Sequence, residues 1–346
     1  MHVFILDPIL DSRWDDFVAA HPGASVFHHT GWLKALASTY GYRSTVVTSA
    51  RPGSPLTDGV AFCEVNSWVT GRRLVSVPFA DHAEPLLSDP AQIPEFHEWI
   101  RAEWDHRHWR YIELRPLSGD FQANGRVQVS QSFWFHTLDL SPPIETIFHR
   151  CHRSCIQRRI MHAKHQGLSY EKGSSGEILN AFYRLLVMTR RRHNLLPQPL
   201  SWFRNLLHFM GPDAEIRLLR KGDTAIAAIL TLQHRGTVVF KYGASDQRFH
   251  HLGGMPLLFW TLIEESRAEG ADQIDLGRSG LDNLNLARFK DRLGTQSKQI
   301  SYLRYMEDRQ DPTTSATFSP AIRALSSRLP GALSTRASVL IYRHFG

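Results

Sequence analysis

The sequence predicts a mixed α/β protein (α+β in the broader sense) of two tandem domains followed by a helical tail, and three observations carry that expectation. The chain has 346 residues, more than one ordinary domain holds and enough for two with a core each. Hydrophobic residues make up 42% and charged residues 21%, with 9 Trp, 9 Tyr and 19 Phe, a composition that packs instead of staying solvated. Strand-like runs and amphipathic stretches also alternate in an order that occurs twice.

The first half reads as a strand at 2–6, helices at 10–20 and 30–39, and strands at 43–49, 58–66 and 72–78. A helix at 91–105 and strands at 109–115 and 127–139 complete it. Pro142 and Pro143 then interrupt the chain, so the first domain is expected over 1–140 and the second over 141–310. One long helix is expected from Ile144 to His165, ended by Gly167. After it come a strand at 168–172, helices at 176–193 and 199–210, and strands at 214–220, 223–233 and 236–244. A helix at 254–269, a strand at 272–276, a helix at 284–293 and a strand at 297–306 follow. Short echoes support the repeat: Tyr111-Ile-Glu-Leu-Arg115 follows a helix as Gln273-Ile-Asp-Leu-Gly277 does, and Pro78-Phe-Ala-Asp81 stands where Gly243-Ala-Ser-Asp246 stands in the second half.

The tail, 311–346, turns to Thr, Ser, Pro and Ala and has no acidic residue after Asp311. Ser319-Pro320 is a helix start, and Phe318, Ile322, Leu325 and Leu329 form an apolar stripe with Arg323 and Arg328 elsewhere on the wheel. Such a stripe suits packing on the first domain, a membrane surface or a partner.

The N-terminus has neither the basic region nor the long apolar stretch of a secretory signal. The longest apolar run, Ala225 to Leu232, falls far short of the roughly 20 residues a membrane-spanning helix needs. Three cysteines, Cys63, Cys151 and Cys155, argue against a disulfide framework, so the expected location is cytoplasmic, with contact to the inner face of a membrane as an added option. Cys151 and Cys155 lie beside His149 and His152, but no second ligand pair at familiar spacing accompanies them, and no metal is expected. The net charge of +7 favours an anionic partner: a nucleotide-linked or lipid-linked precursor, RNA or a membrane surface.

Five motifs, in order, complete the pattern: Phe27-His-His-Thr-Gly-Trp-Leu33, Arg153-Ser-Cys-Ile-Gln-Arg158, Tyr242-Gly-Ala-Ser-Asp246, Asp275-Leu-Gly277, and Arg288-Phe-Lys290 with Gly294. Together with the element order they resemble the FemABX group of double-GNAT acyltransferases over roughly residues 5 to 306. The resemblance implies two tandem GNAT-like (acyl-CoA N-acyltransferase) domains with mixed sheets flanked by helices. It implies transfer of an aminoacyl or acyl group to an amine of a cell-envelope, peptidoglycan or polysaccharide precursor, with aminoacyl-tRNA or acyl-CoA as co-substrate and no tightly bound cofactor. One departure concerns the donor. GNAT enzymes that use acetyl-CoA open the helix after the fourth strand with Gln/Arg-x-x-Gly-x-Gly/Ala, whose backbone N–H groups hold the pyrophosphate. Here the stretch is His250-His-Leu-Gly253-Gly-Met255, which weakens that site.

Acyl transfer to an amine needs a positioned nucleophile, a donor carbonyl and a group facing the developing oxyanion; no Ser-His-Asp set is evident, so direct attack is expected. Lys290 matches the Phe-Lys motif and would neutralise a donor phosphate or the oxyanion; its alternative is a surface lysine on a basic helix with Arg288 and Arg292. Asp275, at the end of a predicted inner strand, would orient the amine or polarise Tyr242, or else cap the turn at Gly277. Asp81, beside His82 and Glu84, would receive the amine proton, or belong to an ordinary polar loop. Tyr242, Arg278 and Phe289 are further substrate-binding candidates within or beside the same motifs. On an unbroken helix, Arg150, Arg153, Gln157 and Lys164 would share a sector of roughly 60° able to bind phosphates, or form a solvated basic face. Beside the transferase stand two other readings: an acyl-CoA-dependent N-acyltransferase on a sugar or small amine, and a non-catalytic module that binds an anionic envelope precursor or RNA.

Overall fold

The structure is a computed structural model that describes residues 3–119, 121, 127–306, 338 and 341–344. In chain order its elements are β1 (Phe4–Leu6), α1 (Arg13–Ala20), α2 (Thr30–Tyr40), β2 (Arg43–Thr48), β3 (Val60–Ser67), β4 (Gly71–Val75), α3 (Ile93–Arg107), β5 (Tyr111–Leu114) and β6 (Val127–Asp139). They continue as α4 (Ile144–Arg150), α5 (Arg158–Lys164), β7 (Leu168–Gly173), α6 (Gly176–Arg192), α7 (Leu200–Met210), β8 (Ala214–Lys221), β9 (Thr224–His234) and β10 (Thr237–Ser245). The chain then forms α8 (Gly254–Ala268), β11 (Gln273–Gly280), α9 (Leu284–Asp291) and β12 (Gln296–Tyr305).

Two compact units result, one holding the chain up to Ser132 and again from Ile300, the other Phe133–Gln299. The change of unit falls inside β6, because Phe133 to Asp139 are hydrogen-bonded to β11. In the first unit the sheet runs β1-β2-β3-β4-β5-β12, antiparallel except for the parallel β4–β5 pair. In the second it runs β7-β8-β9-β10-β11-β6, antiparallel except for the parallel β10–β11 pair. The plan is the same in both: four antiparallel strands, one parallel strand after a helical crossover, and a last antiparallel strand drawn from the other half of the sequence. The echo between Tyr111–Arg115 and Gln273–Gly277 is a true register match, since Val75 pairs with Glu113 as Val239 pairs with Asp275.

Local chemistry accounts for the helices that place the site. Ser175 caps α6 by accepting from the amide of Ile178, and Ile178, Leu179, Phe182, Leu185 and Leu186 give it one buried stripe. Helix α8 is apolar on most sides, and Leu258, Phe259, Leu262 and Ile263 sit in the core of the second unit with Ile229, Ile274 and Leu276. In the first unit Phe62, Leu74, Phe96, Ile100, Ile112 and Leu303 form the corresponding core.

The predicted helix from Ile144 to His165 is not continuous. It breaks at Cys151 and His152, both extended, and resumes as a π-helical turn over Arg153–Gln157 before α5. The His152 ring accepts from the Cys155 amide, and the His152 amide donates to the Arg292 carbonyl at 2.8 Å, so the break is where the chain following α9 docks. The Gln157 side chain donates to the Phe148 and Cys151 carbonyls, the open end of α4. The single basic sector expected on this helix therefore does not form.

Of the predicted tail, 311–346, all but 338 and 341–344, and with it the Phe318 to Leu329 stripe, lies outside the described residues. Its last turn lies in the first unit, where the Tyr42 hydroxyl donates to the Tyr342 and Arg343 carbonyls. No helix among the described residues is long and apolar enough to cross a membrane.

Candidate active site

The second unit has an opening in its sheet. Parallel pairing of β10 with β11 covers Thr237↔Gln273, Val238↔Ile274 and Val239↔Asp275 and then stops, while β10 runs on to Ser245 and β11 to Gly280. Each strand is bulged just past that point, β10 between Phe240 and Tyr242 and β11 between Asp275 and Arg278. The extra residue in β10 sends its two aromatics to opposite faces. Phe240 packs edge-on against Phe259 of α8, whereas Tyr242 packs on Phe203 of α7 and accepts from the Trp202 indole at 2.9 Å.

The bulge in β11 rests on Gly277, whose φ of +70° suits glycine. The buried Asp275 carboxylate accepts the Gly277 amide at 2.6 Å, and the Lys290 ammonium donates to the Gly277 and Arg278 carbonyls at 3.0 Å each. Lys290 is 2% exposed, so it is not the surface lysine that the sequence left open: its ammonium reaches inward to the backbone of β11. The reason is the anchoring of α9. Phe289 packs edge-on against Phe259 and Ala287 is buried, which turns Lys290 inward and leaves Arg288 and Arg292 exposed. Asp275 likewise caps its own bulge, the second of the two roles open to it in the sequence. Arg278 lies with its guanidinium 4.2 Å from the Phe133 ring centre.

Sequence reasoning missed His136. It stands on β6 between the pairs Phe135↔Arg278 and Thr137↔Asp275, is 1% exposed, and places Nε2 3.2 Å from the Asp291 carboxylate. Its Nδ1 is buried without a hydrogen-bond partner. Burial first, and then the nearby Lys290 charge, push its pKa below the usual imidazole value, against the pull of Asp291. A neutral ring that donates from Nε2 to Asp291 has an acceptor at Nδ1. Only the pairing of β6 with β11, distant in sequence, brings it to Lys290, so no local pattern could reveal it.

The structure thus gathers Lys290, Asp275 and Arg278 at one bulge, with Phe289 supporting and Tyr242 on the next strand. Arg153 and Lys164 are exposed on the broken helix. Asp81 belongs to the first unit, where it ends a turn in which Val77 and Phe79 have φ of +50° and +61°. Tyr302 donates to its backbone carbonyl at 2.8 Å. Of its two neighbours, the Glu84 carboxylate is taken up by the Leu117 and Ser118 amides and His82 packs edge-on to Phe27. Among the described residues no three His, Cys, Asp or Glu side chains cluster as metal ligands.

The same place in the first unit is filled. Where the second unit has Gly277, the first has Arg115, whose guanidinium is paired with Glu113 at 2.8 Å and donates to the Val77 and Ala80 carbonyls. Arg304 holds the other Glu113 oxygen, and the Ala83 amide bonds across to the Arg115 carbonyl. Burial alone would raise the Glu113 pKa, but the two guanidinium groups outweigh it and hold it at about 2.

Residues 150–291 match the family model for the acetyltransferase (GNAT) domain. Among solved structures, FemX superposes with a TM-score of 0.71 at 14% identity, over 89% of this chain and 98% of that one. L-PGS from Bacillus licheniformis gives 0.52 at 15%, over 93% and 97%, and a tandem GNAT protein from the clavulanic acid biosynthesis pathway gives 0.53 at 12%, over 88% and 98%. At such identities the likeness is one of fold. No curated protein sequence matches the chain. Residues 150–291 thus match a GNAT acetyltransferase domain, and the fold is similar to those of FemX and the tandem GNAT protein. The matched segment lies within the second unit.

Proposed function

We propose that the second unit transfers an aminoacyl group to an amine of an anionic cell-envelope precursor, at the opening between β10 and β11. The observation that carries this reading is the contrast between the two units: one has a glycine-based bulge beside an opening, the other has the Arg115 and Glu113 pair at the matching place. An extended acyl donor entering the opening would meet strand edges released from pairing, with Tyr242 and Arg278 on the adjoining strands. The Lys290 ammonium and the Gly277 turn keep that edge in place, as a preorganised polar site requires. Arg153 and Lys164 remain candidate phosphate contacts.

The start of α8 bears on the donor. Pro256 in its first turn has no N–H, and a Cβ at Gly253 would lie 2.7 Å from the Arg159 carbonyl, so α5 sits against the helix start that would cradle a pyrophosphate. That arrangement favours an aminoacyl-tRNA donor, for which the exposed basic residues of α5 would provide phosphate contacts. The second reading, acyl-CoA as donor, is supported by the family's description as an acetyltransferase and by the glycine pair at that helix start.

The deciding experiment gives the protein an amine-bearing nucleotide-linked or lipid-linked muropeptide, together with either labelled aminoacyl-tRNA or acyl-CoA. Acceptor-dependent transfer from tRNA supports the proposal; release of free CoA thiol with no transfer from tRNA supports the second reading. Tight binding of precursor with no transfer from either donor would overturn both and leave a binding module. FemX and L-PGS, as structural neighbours, agree with an envelope acceptor without identifying it.

A further inference from the structure

The turn between β3 and β4 carries the most exposed aromatic residue of the described chain. Trp68 is 89% exposed and its neighbour Val69 48%. A large apolar pair left in water at a loop tip marks an interaction site more often than an accident of packing. The tip is also held rigidly. The Ser67 hydroxyl accepts the Val69 and Thr70 amides, at 3.1 and 2.8 Å, and the Arg110 guanidinium donates to the Thr70 carbonyl at 2.9 Å. The C-terminal turn braces it from the side: the Thr70 hydroxyl donates to the His344 carbonyl, and the His344 ring lies edge-on to Trp68 with centroids 5.6 Å apart.

Around this tip the exposed charges are positive. Arg72, Arg110 and Arg343 are exposed and have no carboxylate partner among the described residues; Arg107 is the one nearby arginine paired with acids, Glu64 and Glu103. We propose that the β3–β4 turn seats the first unit on an anionic lipid bilayer, with Trp68 and Val69 entering the interfacial layer and Arg72, Arg110 and Arg343 facing the headgroups. Charge complementarity selects an anionic surface, and the indole suits the interfacial layer, being apolar with one polar N–H. The convex form selects a fluid surface over a protein: two projecting side chains cover far less than the roughly 1,000 Å² that a specific protein interface buries.

The test uses the full chain and vesicle sedimentation, with phosphatidylcholine vesicles and with vesicles containing a quarter phosphatidylglycerol. The wild type should bind the anionic vesicles and not the neutral ones, with binding falling as salt rises. Trp68→Ser with Val69→Ser should lower the partition coefficient roughly tenfold or more. Arg72→Glu and Arg110→Glu should each lower it by about fivefold or more and flatten the salt dependence. Trp68 and Val69 are exposed at the loop tip, so their double variant should melt as the wild type does; Arg110 also braces the Thr70 carbonyl and Arg72 lies over Trp109, so the arginine variants are compared only where their melting curves match. Equal binding of Trp68→Ser/Val69→Ser and wild type would overturn the proposal. So would a wild type that ignores anionic vesicles, or one whose vesicle binding is intact in the double variant while its binding to RNA is lost.

Discussion

Asp275 and Lys290 hold one residue between them: Asp275 accepts the Gly277 amide at 2.6 Å while Lys290 donates to the Gly277 carbonyl at 3.0 Å. Both polar groups of a bulged glycine are thereby satisfied by buried charges, which keeps the β11 edge open without leaving orphan backbone groups. Lys290→Ala should therefore lose stability as well as activity. Two carbonyls lose a charged donor, at about 1.5–3 kcal/mol for such hydrogen bonds. Arg288→Ala and Arg292→Ala, both exposed, should change stability by less than about 0.5 kcal/mol. Urea unfolding of the three variants, read beside transfer rates, checks this; a Lys290→Ala protein as stable as the wild type would remove the clamp.

Gly253→Ala should be damaging, since the residue is buried. The residue has φ of +77°, and an added methyl would meet the Arg159 carbonyl at 2.7 Å, a backbone atom that cannot swing aside. Strain and overpacking together should cost on the order of 2–4 kcal/mol. Gly176→Ala, where a methyl meets nothing within 4 Å, is the control and should be close to neutral. Comparing the two unfolding midpoints measures the closeness of α5 to the start of α8.

Acidification should weaken the fold, chiefly through the buried His136. His136, His97, His193, His250 and His344 all have pKa values lowered by burial, with neighbouring cations adding to the effect at all but His97. A group with a folded pKa below its unfolded value takes up its proton first in the unfolded chain. Its stabilisation is thus complete above the ordinary imidazole value of 6.5 and is lost as pH falls from there through the folded value. Urea midpoints measured from pH 8 down to pH 5 should fall below about pH 6.5. They should fall less steeply in His136→Gln; an unchanged slope would show that His136 takes no part.

The exposed basic residues of the broken helix should report on the donor. Charge reversal at Arg153 and Lys164 should weaken tRNA binding and reduce the slope of log affinity against log salt by about one for each phosphate that is no longer neutralised. Filter binding across a salt series reads this directly. A slope unaffected by either substitution would assign these residues to a solvated face.

Much of the architecture is legible in the linear sequence because it depends on local rules. A continuous apolar run marks β9, the three- and four-residue spacing marks α6, and the echo of Tyr111–Arg115 in Gln273–Gly277 shows the repeat that the register match bears out. The motif around Arg288-Phe-Lys290 likewise marks the segment whose Lys290 meets the β11 bulge. What only the tertiary structure decided depends on contacts between distant segments. Lys290 faces inward because Phe289 finds Phe259, and the helix at Ile144 breaks because the His152 amide finds the Arg292 carbonyl. His136 meets Asp291 because β6 pairs with β11, and the first unit is closed at the matching place because Arg115 and Arg304 share Glu113. In each case a hydrogen bond or ring contact formed across a long stretch of chain overrides what neighbouring residues alone prefer, since helical and strand periodicity describe a segment's own faces but not the surface that will meet them.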